Sequence, residues 1–433
     1  MALRLAGHWR HGSGALMAAV VGIGVSMGVV PRGSCAQATA VDFGLGEKVA
    51  LKQGQIGEKQ RYLGYVARRA IAGQEQAPSG WSNLPAASEA RYFTARLGGA
   101  DVPMVMDISK ISRAKLYVDV DGDGSFSGVT AMSAENRLSG PSAQRYGYYD
   151  FGDVRLAKAA RPGEQPPSVK VSGRHFPGES GGSRLEITPG NFRDGRAKFG
   201  ESTCLVGLLD GDSDGKFAAT YTADMADRRG EPATGFDLLA VDLNGDQAFD
   251  HQTEIYPMTA LVGVHGKYYG VKVAEDGASV EFAPVRSVGL GELSVGSPQV
   301  EMTVVSETCA HHLEANGQGT WKLPEGTYRV ASNRLVDRKG GAWLLEGSGN
   351  GFAQSVQIQK DGTQKVTLGC PLTPKFDVDW NGDVARIGFE LLGAGGEKYA
   401  AGATRNGQRD KAPAFKIIDR EGKSLESGNF EYG

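Results

Sequence analysis

The sequence predicts a mainly β protein: an antiparallel, β-rich N-terminal region carrying acidic calcium-type loops, followed by a C-terminal β-sandwich domain. Three observations lead there. Short half-apolar segments bounded by Gly, Asp, Asn or Pro recur along the chain, while helical periodicity is sparse. Glycine supplies 63 of 433 residues, about twice the usual share, with no Gly-X-Y period, which reads as many tight turns. Three segments with acids at alternate positions each follow an apolar strand signal.

Strand signals begin at Arg91 (RYFTARL), Pro103 (PMVMDI), Ala114 (AKLYVDV), Gly152 (GDVRLA) and Arg184 (RLEITP). They continue at Cys204 (CLVGLL), Phe236 (FDLLAVD), Tyr268 (YYGVKVA) and Ala278 (ASVEFAP). The stretches from Arg161 to Ser168 and from Pro177 to Ser183, rich in Pro and Gly, read as loops. A weak repeat pairs the acidic loop after Leu116 with later strands ending at Pro189, and the loop after Ala240 with strands ending at Pro284. GLGELSVGSPQ, from Gly289 to Gln299, reads as a boundary. The expected regions are therefore 1–40, 41–290 and 291–433, with the middle one built from two related units.

The first forty residues read as an export signal. Arg4 and Arg10 precede an uncharged run from Ala15 to Val30, Pro31 and Gly33 break it, and Ala38-Thr39-Ala40 supplies small residues for cleavage near Ala40. The run is short for a span of about 20 residues, so the expectation is a secreted or periplasmic chain that does not cross the membrane after cleavage. The mature part then holds 44 basic against 50 acidic residues, a charge of −6. With no basic patch interleaved with aromatics, nucleic acid is not an expected partner.

The chemistry sits in three loops that fit D-x-[DN]-x-D-[GQ]-x-F. The first places Asp119, Asp121 and Asp123 before Gly124, Ser125 and Phe126. The second places Asp210, Asp212 and Asp214 before Gly215, Lys216 and Phe217, and the third Asp242, Asn244 and Asp246 before Gln247, Ala248 and Phe249. Oxygens at alternate positions of a tight loop converge on one hard cation, the sixth residue makes the sharp turn, and the seventh offers a carbonyl. The predicted ligands are thus these acids and Asn244, with the carbonyls of Ser125, Lys216 and Ala248. The expected cofactor is calcium, held as in the first half of an EF-hand loop.

Two departures from that loop stand out. Position twelve holds Thr130, Tyr221 or Thr253 rather than Glu. Glu254, one residue late in the third loop, is the best substitute, ahead of Asp224 and Glu135. The flanks read as strands, so affinity should fall in the weak range of roughly 10⁻⁴ to 10⁻³ M. Asp-Gly and Asn-Gly also favour hairpins, so each loop taken singly could be a turn. Asp379-Trp380-Asn381-Gly382-Asp383 lacks the aromatic and reads as a hairpin turn.

Gly319 to Ser332 (GTWKLPEGTYRVAS) alternates around a Pro-Glu-Gly turn, placing Trp321, Leu323, Tyr328 and Val330 on one pleated face. This stretch resembles the strand pair of transthyretin-like or carboxypeptidase-regulatory-like β-sandwich domains, a resemblance that implies fold only. LYVDVDGDG, DLLAVDLNGD, KYYGVKV and the terminal GNFEYG resemble segments of secreted bacterial proteins of the planctomycete type. That resemblance implies export and acidic loops and supplies no substrate.

Of the cysteines beyond the signal, Cys309 and Cys370 lie in one C-terminal region and are the expected disulfide, leaving Cys204 free. His311-His312 reads as a surface pair, its rings on opposite faces of a strand. No hydrolase, P-loop or dinucleotide motif is present. The functional expectation is a calcium-stabilised binding or structural module of the cell surface or envelope. The alternative is a hydrolase of an extracellular or envelope polysaccharide, whose mark is a cleft holding two carboxylates outside the loops.

Overall fold

The computed structural model describes residues 3–6, 41–56, 68–156, 166–177, 182–223, 235–337, 343–347, 355–381, 384–399, 403–405, 408–419 and 421–430. The expected signal, apart from residues 3–6, lies outside these residues, as do most of the Pro-rich and Gly-rich loops. The protein is mainly β, with 57% of residues in strands, and the described residues contain no α-helix. No described helix is long and apolar enough to cross a membrane. Every strand signal named above falls on a strand.

Alternation sets three apolar cores. The first lies between two four-stranded antiparallel sheets. Ala90–Leu97, Ala100–Asp107, Arg113–Val118 and Met132–Glu135 form one; Arg69–Ala72, Ser183–Pro189, Ser168–His175 and Gly147–Arg155 form the other. Phe93, Met104, Met106, Leu116, Tyr149 and Leu185 fill the space between them at 2% exposure or less. Burying side chains of this size contributes roughly 1.5–3 kcal/mol each.

The second core is built on a five-stranded sheet of Lys52–Gln55, Asn191–Phe199, Ser202–Leu209, Leu238–Val241 and Ile255–Pro257. Ser202–Leu209 and Leu238–Val241 are continuously apolar toward their ends and buried on both faces, as central strands are. Phe282, Val262 and Val280 come from a larger sheet to close this core.

That larger sheet continues past residue 290. Leu261–Val264 pairs in parallel with Cys309–Leu313, which pairs with Val300–Val305 and so reaches Gly326–Asp337. The third core lies between this half of the sheet and a small sheet of Leu290–Val295, Thr320–Pro324 and Thr363–Val366.

The two strands either side of the Pro-Glu-Gly turn do not pair with each other. Thr320–Pro324 pairs with Leu290–Val295, while Gly326–Asp337 joins Val300–Val305 and Ser355–Ile358. The turn is a corner between facing sheets, so Leu323 and Tyr328 meet in the core from opposite sides rather than along one pleat. The two units of the sequence repeat also differ. Lys267–Val273 pairs directly with Ser279–Ser287, whereas Ser168–His175 stands between Gly147–Arg155 and Ser183–Pro189.

Two further expectations are corrected. Cys204, Cys309 and Cys370 are all free thiols. Cys309 faces inward in the third core at 0% exposure, and Cys370 is exposed with its thiol toward Gln299 Oε1. Sharing a region did not align the two side chains. His311 and His312 are both buried, since their strand is covered on both faces. His311 Nδ1 lies 3.0 Å from Tyr268 Oη, and His312 Nδ1 lies 3.2 Å from Thr303 Oγ1. A Cβ at position 263 would sit 2.2 Å from the His311 ring, so Gly263 is what admits that ring against the neighbouring strand. Thr373–Asn381 and Val384–Leu392 form the expected antiparallel hairpin, with residues 382–383 outside the described set.

Candidate metal centre

All three acidic loops share one backbone hydrogen-bond pattern, which follows from their spacing. The first Asp turns its carboxylate back over the loop, and the amides at positions four or five and six donate to it. In the first loop, Gly122 N–H and Gly124 N–H donate to Asp119 at 3.0 and 2.7 Å. In the second, Asp214 N–H and Gly215 N–H donate to Asp210 at 3.0 and 2.7 Å. In the third, Gly245 N–H and Gln247 N–H donate to Asp242 at 2.7 and 3.1 Å. The fifth-position Asp then accepts the seventh residue's N–H at 2.7 Å (Ser125), 2.8 Å (Lys216) and 2.8 Å (Ala248). The sixth residue has positive φ each time: Gly124 at 80°, Gly215 at 88° and Gln247 at 65°. Gln carries a Cβ into that left-handed region, and Arg196 Nη2 holds its side-chain oxygen at 2.5 Å.

The eighth-position aromatic anchors two loops fully. Phe126 and Phe249 are buried, Phe126 against Trp81 with ring centroids 5.5 Å apart. Phe217 is half-buried, with the Arg193 guanidinium 5.2 Å above its ring.

The loops differ in what their acids do. Only the second gathers three carboxylates among the described residues: one oxygen each from Asp210, Asp212 and Asp214 lies within 4.8 Å of the others. All three are half-buried. In the first loop Asp119 is buried but Asp121 and Asp123 are exposed, and the three make no such group. In the third loop Asp242 is buried, and Asn244 and Asp246 are exposed.

The surroundings explain the difference. The second loop rests on the tight turn between Ala90–Leu97 and Ala100–Asp107. Gly98 N–H donates to Ser213 O at 2.8 Å, and a Cβ on Gly215 would come within 3.2 Å of Gly98. Asp237, fully buried at 0% exposure, lies beneath the loop and accepts Gly211 N–H at 3.0 Å and Ala219 N–H at 2.8 Å. Arg69, half-buried, lies close enough to feel the charges of Asp212 and Asp210 and donates to Arg96 O.

Crowding acids in this way raises their proton affinity. Burial first, and then Asp237, push Asp210 up to about 8. Burial pushes Asp237 up to about 7 against the lowering effect of its two amide donors, with Asp212 and Asp214 adding to the rise. A divalent cation among these oxygens would offset the same repulsion. The donor set suits a hard cation: carboxylates alternate along the loop, with neither thiol nor imidazole among them.

Glu254 has the corresponding place in the third loop. It is buried at 1% exposure and accepts N–H bonds from Leu243, Asn244 and Asp250 at 2.9, 3.2 and 2.9 Å. Burial pushes it up to about 7. Its carboxylate therefore acts as a clamp on the loop backbone. Glu135 is spent elsewhere, paired with Arg113 at 3.1 Å, and Asp224 lies outside the described residues.

Sequence reasoning missed Asp237 and Arg69. Asp237 was visible as the acid opening FDLLAVD, but no spacing rule links it to a loop that starts at Asp210. Arg69 reaches the site through a strand far earlier in the chain. Comparison with protein-family models, curated proteins and solved structures gives no match to this chain.

Proposed function

We propose that this is an exported β protein stabilised by calcium at the second acidic loop, acting as a binding or structural module of the cell surface or envelope. The observation that supports it most is the convergence of Asp210, Asp212 and Asp214 over the buried Asp237. Two carboxyls held at about 8 and about 7 are poorly accommodated at neutral pH unless a cation or proton joins them. A turn alone needs no such grouping. The first and third loops serve to shape the backbone, with any calcium there bound more weakly than at the second.

The hydrolase alternative calls for a cleft lined by two carboxylates outside the loops. None of the four cavities described has such a lining; the only acids in them are Asp210, Asp121 and Asp153. The test is calorimetric titration of the chelator-treated mature protein with calcium and magnesium, with metal content measured on the untreated sample. Saturable calcium binding lost in Asp212→Asn with Asp214→Asn is the expected result. No calcium heat and no metal in the untreated protein would leave the turn reading.

A further inference from the structure

The hairpin near the end of the chain leaves one strand open. Val384–Leu392 pairs with one edge of Thr373–Asn381, and among the described residues no strand pairs with the other edge. Alternation divides Thr373–Asn381 into two faces. Phe376, Val378 and Trp380 share one and are 54, 47 and 67% exposed. Lys375, Asp377 and Asp379 share the other and are exposed as well. Phe389 and Phe430 lie against Phe376, with ring centroids 5.5 and 6.3 Å away, so that ring is fixed in place although half of it faces outward. Of the eight large apolar side chains exposed among the described residues, three fall on this one strand, which makes a patch rather than scatter. An open edge that carries such a patch is a template for a further strand.

The charges on the strand select the partner. Set antiparallel against itself with Phe376 opposite Phe376, the strand brings Lys375 opposite Asp377 of the second copy, twice by symmetry. Val378 then meets Pro374, and no like charges stand directly opposite one another. A two-fold interface requires this self-complementarity. Pro374 gives no N–H to the ladder and contributes an apolar contact instead. We propose that this edge is a self-association surface, on which a second copy of the chain adds its own Thr373–Asn381 strand to make a four-stranded sheet across a two-fold axis. Two strands of nine residues bury less than the roughly 1,200 Å² at which stable interfaces begin, so the dimer is weak and depends on concentration. None of these residues belongs to the acidic loops, so the surface stands apart from the calcium reading.

The test is sedimentation velocity of the mature protein in chelator, from about 10 µM to about 500 µM, the range suited to a small interface. The expected result is a monomer passing to a dimer as concentration rises. Lys375→Asp alone sets acid against acid, and Asp377→Lys alone sets lysine against lysine; each should weaken the dimer at least about fivefold. The protein carrying both substitutions should regain it. That double reversal also lacks the exposed Lys375–Glu390 ion pair, so its recovery separates pairing between copies from loss of a contact within one. Circular dichroism checks that each variant is folded. A monomer at every concentration, assemblies that grow beyond the dimer, single reversals without effect, or a double reversal that stays monomeric would overturn the proposal.

Discussion

Calcium and pH should act on the same carboxyls, and the coupling gives a sharp prediction. Asp210 and Asp237 have folded values of about 8 and about 7, both raised from 3.8. A group raised on folding binds more protons in the native state, so its stabilising contribution is full below about pH 4 and is lost as pH rises through the folded value. Each unit is worth about 1.4 kcal/mol, so ionising Asp237 alone in the metal-free protein costs on the order of 4 kcal/mol. Calcium bound as proposed would replace the protons and remove that cost. In chelator, the melting temperature should therefore fall from about pH 4 to about pH 8; in millimolar calcium this fall should largely vanish. At a free concentration about 100 times the dissociation constant, one site adds about 2.7 kcal/mol. For a unit of this size that is an upward shift of roughly 5–10 °C. Thermal unfolding followed by circular dichroism across that range provides the assay. A calcium shift equal at both ends of the range, or the same shift in Asp237→Asn, would refute the reasoning.

The other predictions concern separate residues. Asp119→Asn with Asp123→Asn should leave most of the calcium shift intact, whereas Asp212→Asn with Asp214→Asn should abolish it, both read by melting temperature. Glu254→Ala strands three backbone N–H donors and should cost about 2–4 kcal/mol in urea unfolding. Burial lowers His312 to about 3, so its neutral form stabilises fully above about pH 6.5 and that contribution is lost as pH falls. Replacing His312 by Gln should therefore make the loss of stability on acidification shallower by about 1.4 kcal/mol per pH unit. Without reductant, a thiol reagent should modify Cys370 but neither Cys204 nor Cys309 in the folded protein, and all three of these thiols once the chain is unfolded in urea.

What could be read in the sequence was local. The strands from Arg91 to Pro284 follow from alternation and turn residues, which operate within a few positions. The acidic loops were legible for the same reason: Asp210, Asp212 and Asp214 lie within five residues, and their spacing dictates the turn. Partners distant along the chain were not legible. Asp237 and Arg69 reach the second loop only through sheet pairing and packing. The corner after Pro324 reads locally as a hairpin, and only competition between two sheets for its flanking strands decides otherwise. His311 and His312 were misplaced because a polar pair looks exposed until the strand carrying it is covered on both faces. Pairing Cys309 with Cys370 failed because a shared region says nothing about the direction of two Cβ vectors.

The parallel ladder between Leu261–Val264 and Cys309–Leu313 bears on how the molecule comes apart. It ties the second core to the third with backbone bonds, and the link is reinforced beside the third loop. There Gln252 O accepts the hydroxyls of Thr303 and Ser332, and Arg334 joins Asp250 to Glu301. Separating these cores would expose an open strand edge and strand a buried carboxylate, Glu301. The two should therefore melt as a single cooperative unit, and a fragment cut near residue 290 should not fold from either side. Among the described residues the four-plus-four sandwich of the first core has no such ladder to the rest, and so should be the part that opens on its own. Its tight turn at Gly98 supports the second loop, so local melting of that sandwich would remove the floor beneath Asp210 while the remainder of the protein stayed folded.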